Sequence, residues 1–167
     1  YLSTPFPNGA RMGDRTTSPS MRFLNILVFL FVLIGNGLAA SGKLSGQSIG
    51  VIANNYRSLF LPANYVFGIW SLIYFGLFAL TVFQALPGAA SRRSVQRTGP
   101  WWIIIGVLNV AWISTFSFSY FLGALAIMAV LLVALILVFE HVNSGEPRST
   151  GEYWCVTVPT GIYLAWI

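Results

Sequence analysis

Residues 61–74 read L-P-A-N-Y-V-F-G-I-W-S-L-I-Y and open an uncharged apolar run that continues to Leu86 and stops at Pro87. At about 1.5 Å per residue, a helix of that length crosses the roughly 30 Å hydrocarbon core of a bilayer. Pro62 stands where a helix accepts proline, near its first turn, and Asn64 can cap the free N–H groups there. Phe67, Trp70 and Tyr74 recur at helical spacing, so the segment carries one aromatic stripe.

Outward from this segment, composition gives the same class. Hydrophobic residues make up 56% of the chain and charged ones 8%, with a mean hydropathy of +0.75. Soluble domains carry about 25% charged residues, so this chain is built for lipid. The net charge of +5 comes from basic residues lying between apolar runs, with no continuous basic stripe, which argues against nucleic acid as a partner. Cys155 is the single cysteine, which excludes an intrachain disulfide and a cysteine metal cluster.

The remaining runs predict an all-α, polytopic bundle of five transmembrane helices, over about 23–40, 64–86, 100–119, 122–139 and 153–167. Residues 1–20 are rich in Pro, Ser, Thr and Gly and are expected to be a disordered tail, with 21–167 a single bundle. The first run has a rival reading as a signal peptide, because the basic pair Met21-Arg22 precedes it and small residues at 37–40 end it. Residues 41–61 form a long connection without strong pattern. Residues 100–139 lack any charge and are too long for one span, which puts a break at 120–123. The fifth run stops at Ile167, short of a full span, so the chain is expected to be a C-terminally truncated fragment. Arg11, Arg15, Arg22, Arg92, Arg93, Arg97 and Arg148 fall on one side of this topology, and only Lys43 and Arg57 on the other. Positive loops stay inside, which places the N-terminus in the cytoplasm.

None of the apolar runs contains Asp, Glu, Lys, Arg or His. That disfavours proton-coupled pumps, voltage sensors and any acid–base or nucleophile–base catalysis within the membrane. His141 reads as a solvated loop histidine, and Trp101 and Trp102, just after Pro100, as an interfacial belt. Trp154 beside Glu152 reads the same way. Trp112 lies deeper, about 18 Å along its helix from Pro100. Asn109 is one turn before it and Phe116 continues the face. A mid-membrane amide serves either as interhelical glue or as a ligand contact. Ala111, Thr115 and Ser119 form a separate stripe of small residues suited to close helix approach. In the last run Pro159, Tyr163 and Trp166 share a face, with a kink expected at Pro159. Turned inward together, Phe67, Trp70, Tyr74, Asn109, Trp112, Phe116, Tyr163 and Trp166 would line an apolar pocket with a few polar groups. Turned toward lipid, they would be an aromatic surface only.

Three ordered motifs carry a resemblance: P-A-N-Y-V-F-G-I-W at 62–70 with L-I-Y at 72–74, L-N-V-A-W at 108–112, and P-T-G-I-Y-L-A-W at 159–166. In these the chain resembles the TspO/MBR family, the tryptophan-rich sensory proteins related to the translocator protein. The resemblance runs from about Phe23 to the end of the chain. It implies a five-helix bundle, often dimeric, whose first loop closes over a ligand cavity. It also implies a bacterial inner-membrane protein and ligands such as porphyrin, haem, sterols or synthetic aromatic molecules. The family's Trp-x-Pro-Pro before the second helix stands here as Phe60-Leu61-Pro62-Ala63, which marks a divergent branch. A membrane receptor or sensor for a flat apolar ligand such as a tetrapyrrole follows, with no cofactor required. A transporter of such ligands and a porphyrin-degrading membrane enzyme are the alternatives. Bound haem would have no axial histidine from the spans.

Overall fold

The computed structural model describes residues 18–56, 64–86, 88, 93–143 and 149–167. The tail 1–17, Pro62 at the expected helix start and Arg148 lie outside them. Among the described residues every regular element is helical.

Helix α1, Pro19–Ala40, begins earlier than the apolar run suggests. Ser18 Oγ accepts from Met21 N at 3.3 Å and Pro19 occupies the first turn, so residues 18–20 belong to the helix start rather than to the tail. The chain leaves α1 through Gly42, whose φ of 75° is left-handed and whose Cβ would stand 3.0 Å from Ser48 N. The connection expected to be patternless then contains a short helix, α2, Ile49–Asn55, capped by Ser48. Ile52 is buried, and α2 touches both α1 and α4.

The segment that opens the second span starts as a 3-10 turn, Asn64–Gly68, before α3, Ile69–Ala85. Helix α4, Arg93–Ser117, carries Pro100 inside it rather than at its start. The α4–α5 break covers residues 118–120, at the leading edge of the expected 120–123, with Ser119 at its turn. Ser119 N donates to Phe116 O at 2.8 Å and Tyr120 N to Thr115 O at 3.1 Å, with Ser119 at φ 61°. That pair of bonds is a Schellman cap, and Ser119 fills its left-handed position in place of the usual glycine. Ser119 therefore leaves the expected small-residue stripe. Gly123 lies within α5, Phe121–Asn143, where an added Cβ would meet Thr115 Cγ2 at 3.2 Å. Its role is close packing of the α4–α5 hairpin.

The C-terminal run is continuous helix in three registers: α6, Thr150–Glu152, a π segment, Tyr153–Thr157, and α7, Val158–Trp166. The kink expected at Pro159 takes this form. Proline has no N–H to donate one turn back, and a π segment just before it absorbs the mismatch. Thr160 Oγ1 donates to Val156 O at 2.6 Å across the join.

Among the described residues, four helical stretches are long and apolar enough to cross a bilayer: Pro19–Ala40, Tyr65–Ala85, Val95–Ser117 and Phe121–Asn143. Helix α4 is central, packed along α5 on one side and α1 on the other. Glycines bring neighbours close: a Cβ on Gly106 would overlap Val28 Cγ1, and one on Gly76 would meet Pro159 at 2.9 Å. Without a hydrophobic force between helices in lipid, such small-residue contacts set the packing. Ile73, Leu77, Trp102, Ile105, Leu131, Leu135 and Val138 form the shared core. Trp102 is thus a core residue rather than part of an interfacial belt. Helix α4 starts at Arg93, so the Trp pair lies within the helix, about 100° apart around its axis, and Trp102 is the one turned into the core. Trp101 is half-buried with its ring 6.5 Å from that of His141. His141 belongs to the last turn of α5 and its Nδ1 lies 2.6 Å from Leu137 O, which replaces the solvated loop reading. Trp154 stands outside, 62% exposed.

Candidate functional site

The site forms where the ends of α3, α4, α5 and α7 distant from Arg93 come together. Trp70 leads off α3, and one turn later Tyr74 stacks on it, ring centroids 5.8 Å apart at 25°. Trp112 of α4 also lies nearly parallel to Trp70, at 5.5 Å and 21°. From α7, Tyr163 and Trp166 present their rings edge-on to Trp70 at 6.2 Å and 6.4 Å. These offset-stacked and edge-to-face arrangements are the ones that ring quadrupoles favour. Trp70 is the hub.

The stripe continues outward. Trp112 meets Phe116 at 6.0 Å, Phe116 meets Phe121 of α5 at 5.4 Å, and Phe121 meets Tyr56 at 4.6 Å. Tyr56 follows α2, so an unbroken row of rings links the first loop to the hub.

Beneath the rings lies a buried polar chain. Asn109 Nδ2 donates to the Tyr163 hydroxyl at 2.7 Å, and Asn109 Oδ1 accepts from Asn36 Nδ2 at 2.8 Å. Asn36 Nδ2 also donates to Val32 O at 2.9 Å. Asn109 is 1% exposed and Tyr163 0%, so both are shielded from bulk water. Both ends of the Asn109 amide are therefore spent on other helices, α1 and α7. Asn109 thus bridges α1 and α7, and it holds the phenol of Tyr163, whose ring meets Trp70 edge-on.

Seven of the residues singled out in sequence come together here: Trp70, Tyr74, Asn109, Trp112, Phe116, Tyr163 and Trp166. Phe67, in the 3-10 turn, makes none of these ring contacts. Sequence reasoning passed over Asn36, Phe121 and Tyr56. Asn36 left a signal: it and Asn25 are the two amides of an otherwise apolar run, three helical turns apart and so on one face. Phe121 and Tyr56 left none, because only the tertiary turn after Ser117 brings them to the stripe.

The assembly offers flat apolar faces, indole N–H groups and phenol hydroxyls, with no carboxylate, imidazole, ammonium or guanidinium among its members. It is suited to stacking and hydrogen bonding rather than to proton transfer.

Neither the curated proteins nor the solved structures hold a match to the chain. The family described as TSPO-like protein matches residues 22–167, from the start of the first span to Ile167. With apolar spanning helices and the tryptophan-centred motifs both in place, the chain belongs to the TSPO-like family.

Proposed function

We propose that the protein is a membrane sensor that binds a flat, largely apolar ligand, such as a tetrapyrrole, at the Trp70 cluster. The observation that carries this reading is Trp70 itself, which holds two rings from different helices nearly parallel to its own. A planar ligand would exchange ring–ring stacking for ligand–ring stacking of the same kind, so little polar surface is left stranded. Tyr163, positioned by Asn109, and the indole N–H groups would orient it. The row through Phe121 to Tyr56 gives the first loop a means of responding to occupancy.

Protoporphyrin IX titrated into the protein in nanodiscs, followed by tryptophan fluorescence, tests this. Trp112→Phe keeps aromatic bulk and loses mainly the N–H and some volume. Affinity should fall by roughly 1–3 kcal/mol, about five- to a hundredfold. Unchanged affinity would place the ligand elsewhere.

The same reading takes residues 150–166 as a fifth span and orients the bundle with its arginine-rich loops inward, in a bacterial inner membrane. In a background lacking Cys155, cysteine at Ser45 should react with an impermeant thiol reagent from outside, and cysteine at Ser94 should not. The reverse pattern would overturn the orientation.

A further inference from the structure

At the opposite end of the bundle a second buried amide pair joins α1 to α3. Asn25 Nδ2 donates to Gln84 Oε1 at 3.0 Å, and both side chains are buried, 4% and 3% exposed. Asn25 Oδ1 is different. It is buried and has no hydrogen-bond partner among the described residues. A buried amide oxygen left without a donor costs free energy comparable to a lost hydrogen bond, so such an atom needs an explanation.

The surroundings supply one. Asn25 and Gln84 line a cavity of about 30 Å³ between α1, α3 and α4, together with Thr81 and the apolar side chains of Phe29, Leu80 and Ile105. The volume decides what can occupy it. A benzene-sized ligand needs roughly 150 Å³, whereas one water needs about 10–15 Å³ on the same kind of measure. An organic ligand is too large; one or two waters fit. Chemistry agrees. A buried water needs polar partners, and the walls offer the Asn25 oxygen, the Gln84 amide and the Thr81 hydroxyl oxygen, whose proton is already given to Leu77 O at 2.7 Å. Asn109 and Tyr163 close the other end of the same cavity. Their hydrogen bonds to each other and to Asn36 leave the unpaired acceptor at the Asn25 end.

We infer that this crevice is an internal hydration site, in which water donates to Asn25 Oδ1 and is shared with Gln84 and Thr81. The α1–α3 contact at this end is then a wet hydrogen-bonded joint, unlike the ring-packed contact around Trp70. The inference is independent of any ligand at the Trp70 cluster.

Nuclear magnetic resonance of the full chain in nanodiscs tests it by magnetisation transfer from bulk water to the side-chain amides of Asn25 and Gln84. The backbone amide of Leu135, in the dry core at 0% exposed, is the reference. Transfer to Asn25 and Gln84 several-fold above Leu135 is expected. In Asn25→Leu the signal at Gln84 should fall toward the reference. Transfer no greater than at Leu135 in the unaltered protein would mean a dry site and overturn the inference. So would full transfer to Gln84 persisting in Asn25→Leu, since water would then be held without the Asn25 oxygen. Because the first measurement uses the unaltered protein, folding of the variant does not limit it.

Discussion

Around Trp70, rings from three helices fill the space between them, and the buried amide beneath, Asn109, has both its ends paired. Around Asn25, aliphatic and aromatic side chains mix, Val28, Leu80, Phe29 and Trp102 among them, a gap of about 30 Å³ remains, and one amide oxygen is unpaired among the described residues. Both regions hold helices together through buried polar side chains. They differ in what surrounds those side chains. At the first a phenol hydroxyl reaches the amide, and at the second no donor among the described residues reaches the Asn25 oxygen. The aromatic residues that suggest a pocket in sequence stack on one another, and a small cavity lies instead beside the amides of Asn25 and Gln84.

The largest expected effect breaks the filled region. Trp70→Ala removes the ring that contacts Tyr74, Trp112, Tyr163 and Trp166 at once. Truncation of a packed aromatic costs about 3–5 kcal/mol. Thermal unfolding in detergent should show the loss, and porphyrin binding should vanish with it. A loss near zero would mean that the cluster contributes surface rather than packing, and the contrast between the two regions would collapse.

How much of this was legible follows from the kind of signal each residue leaves. Trp70, Trp112 and Tyr163 stand at helical spacing in apolar runs, so their faces could be read from period alone. That the faces would turn inward onto one another was left open by period and settled by packing. The α4–α5 break, expected at 120–123, begins two residues earlier because the backbone spends its left-handed residue on Ser119, which has no breaker signature in sequence. Trp102 was misread because Pro100 looks like a helix start, although α4 runs back to Arg93. The Asn25–Gln84 pair was invisible as a pair: its members are 59 residues apart and meet only when α1 lies against α3.

A smaller effect sharpens the comparison from the α1 side. The approach of α1 to α4 depends on Gly106, where even a methyl group would overlap Val28. Gly106→Ala should therefore push α1 away and cost about 1–3 kcal/mol, the usual range for overpacking. Gly37→Ala is the control, because an added Cβ there meets nothing within 4 Å. It should lose no stability, and the helix preference of alanine favours it slightly. Displacing α1 opens the Asn25 crevice directly, so porphyrin affinity should change less in Gly106→Ala than in Trp112→Phe. Equal losses would mean that α1 and the aromatic cluster form one unit.

The smallest effect bears on Asn109, the one amide that belongs to both regions, since it lines the crevice and also holds Tyr163. Interhelical hydrogen bonds in membrane proteins average about 0.6 kcal/mol and reach about 1.7. A double-mutant cycle pairing Asn109→Leu with Tyr163→Phe isolates the bond under the rings; one pairing Asn25→Leu with Gln84→Leu isolates the bond in the crevice. The first coupling should be the larger, toward the upper end of that range, because its partners are fully enclosed and Asn109 is bonded on both sides. The second should lie at or below the average, because water competes for the same amides and takes over when one is removed. Asn109→Leu should also lower stability to the same degree with and without porphyrin, as befits a bond between helices. A drop seen only with porphyrin present would make Asn109 a ligand contact. Equal couplings in the two cycles would show that the rings and the crevice bury their amides alike, whatever fills the space around them.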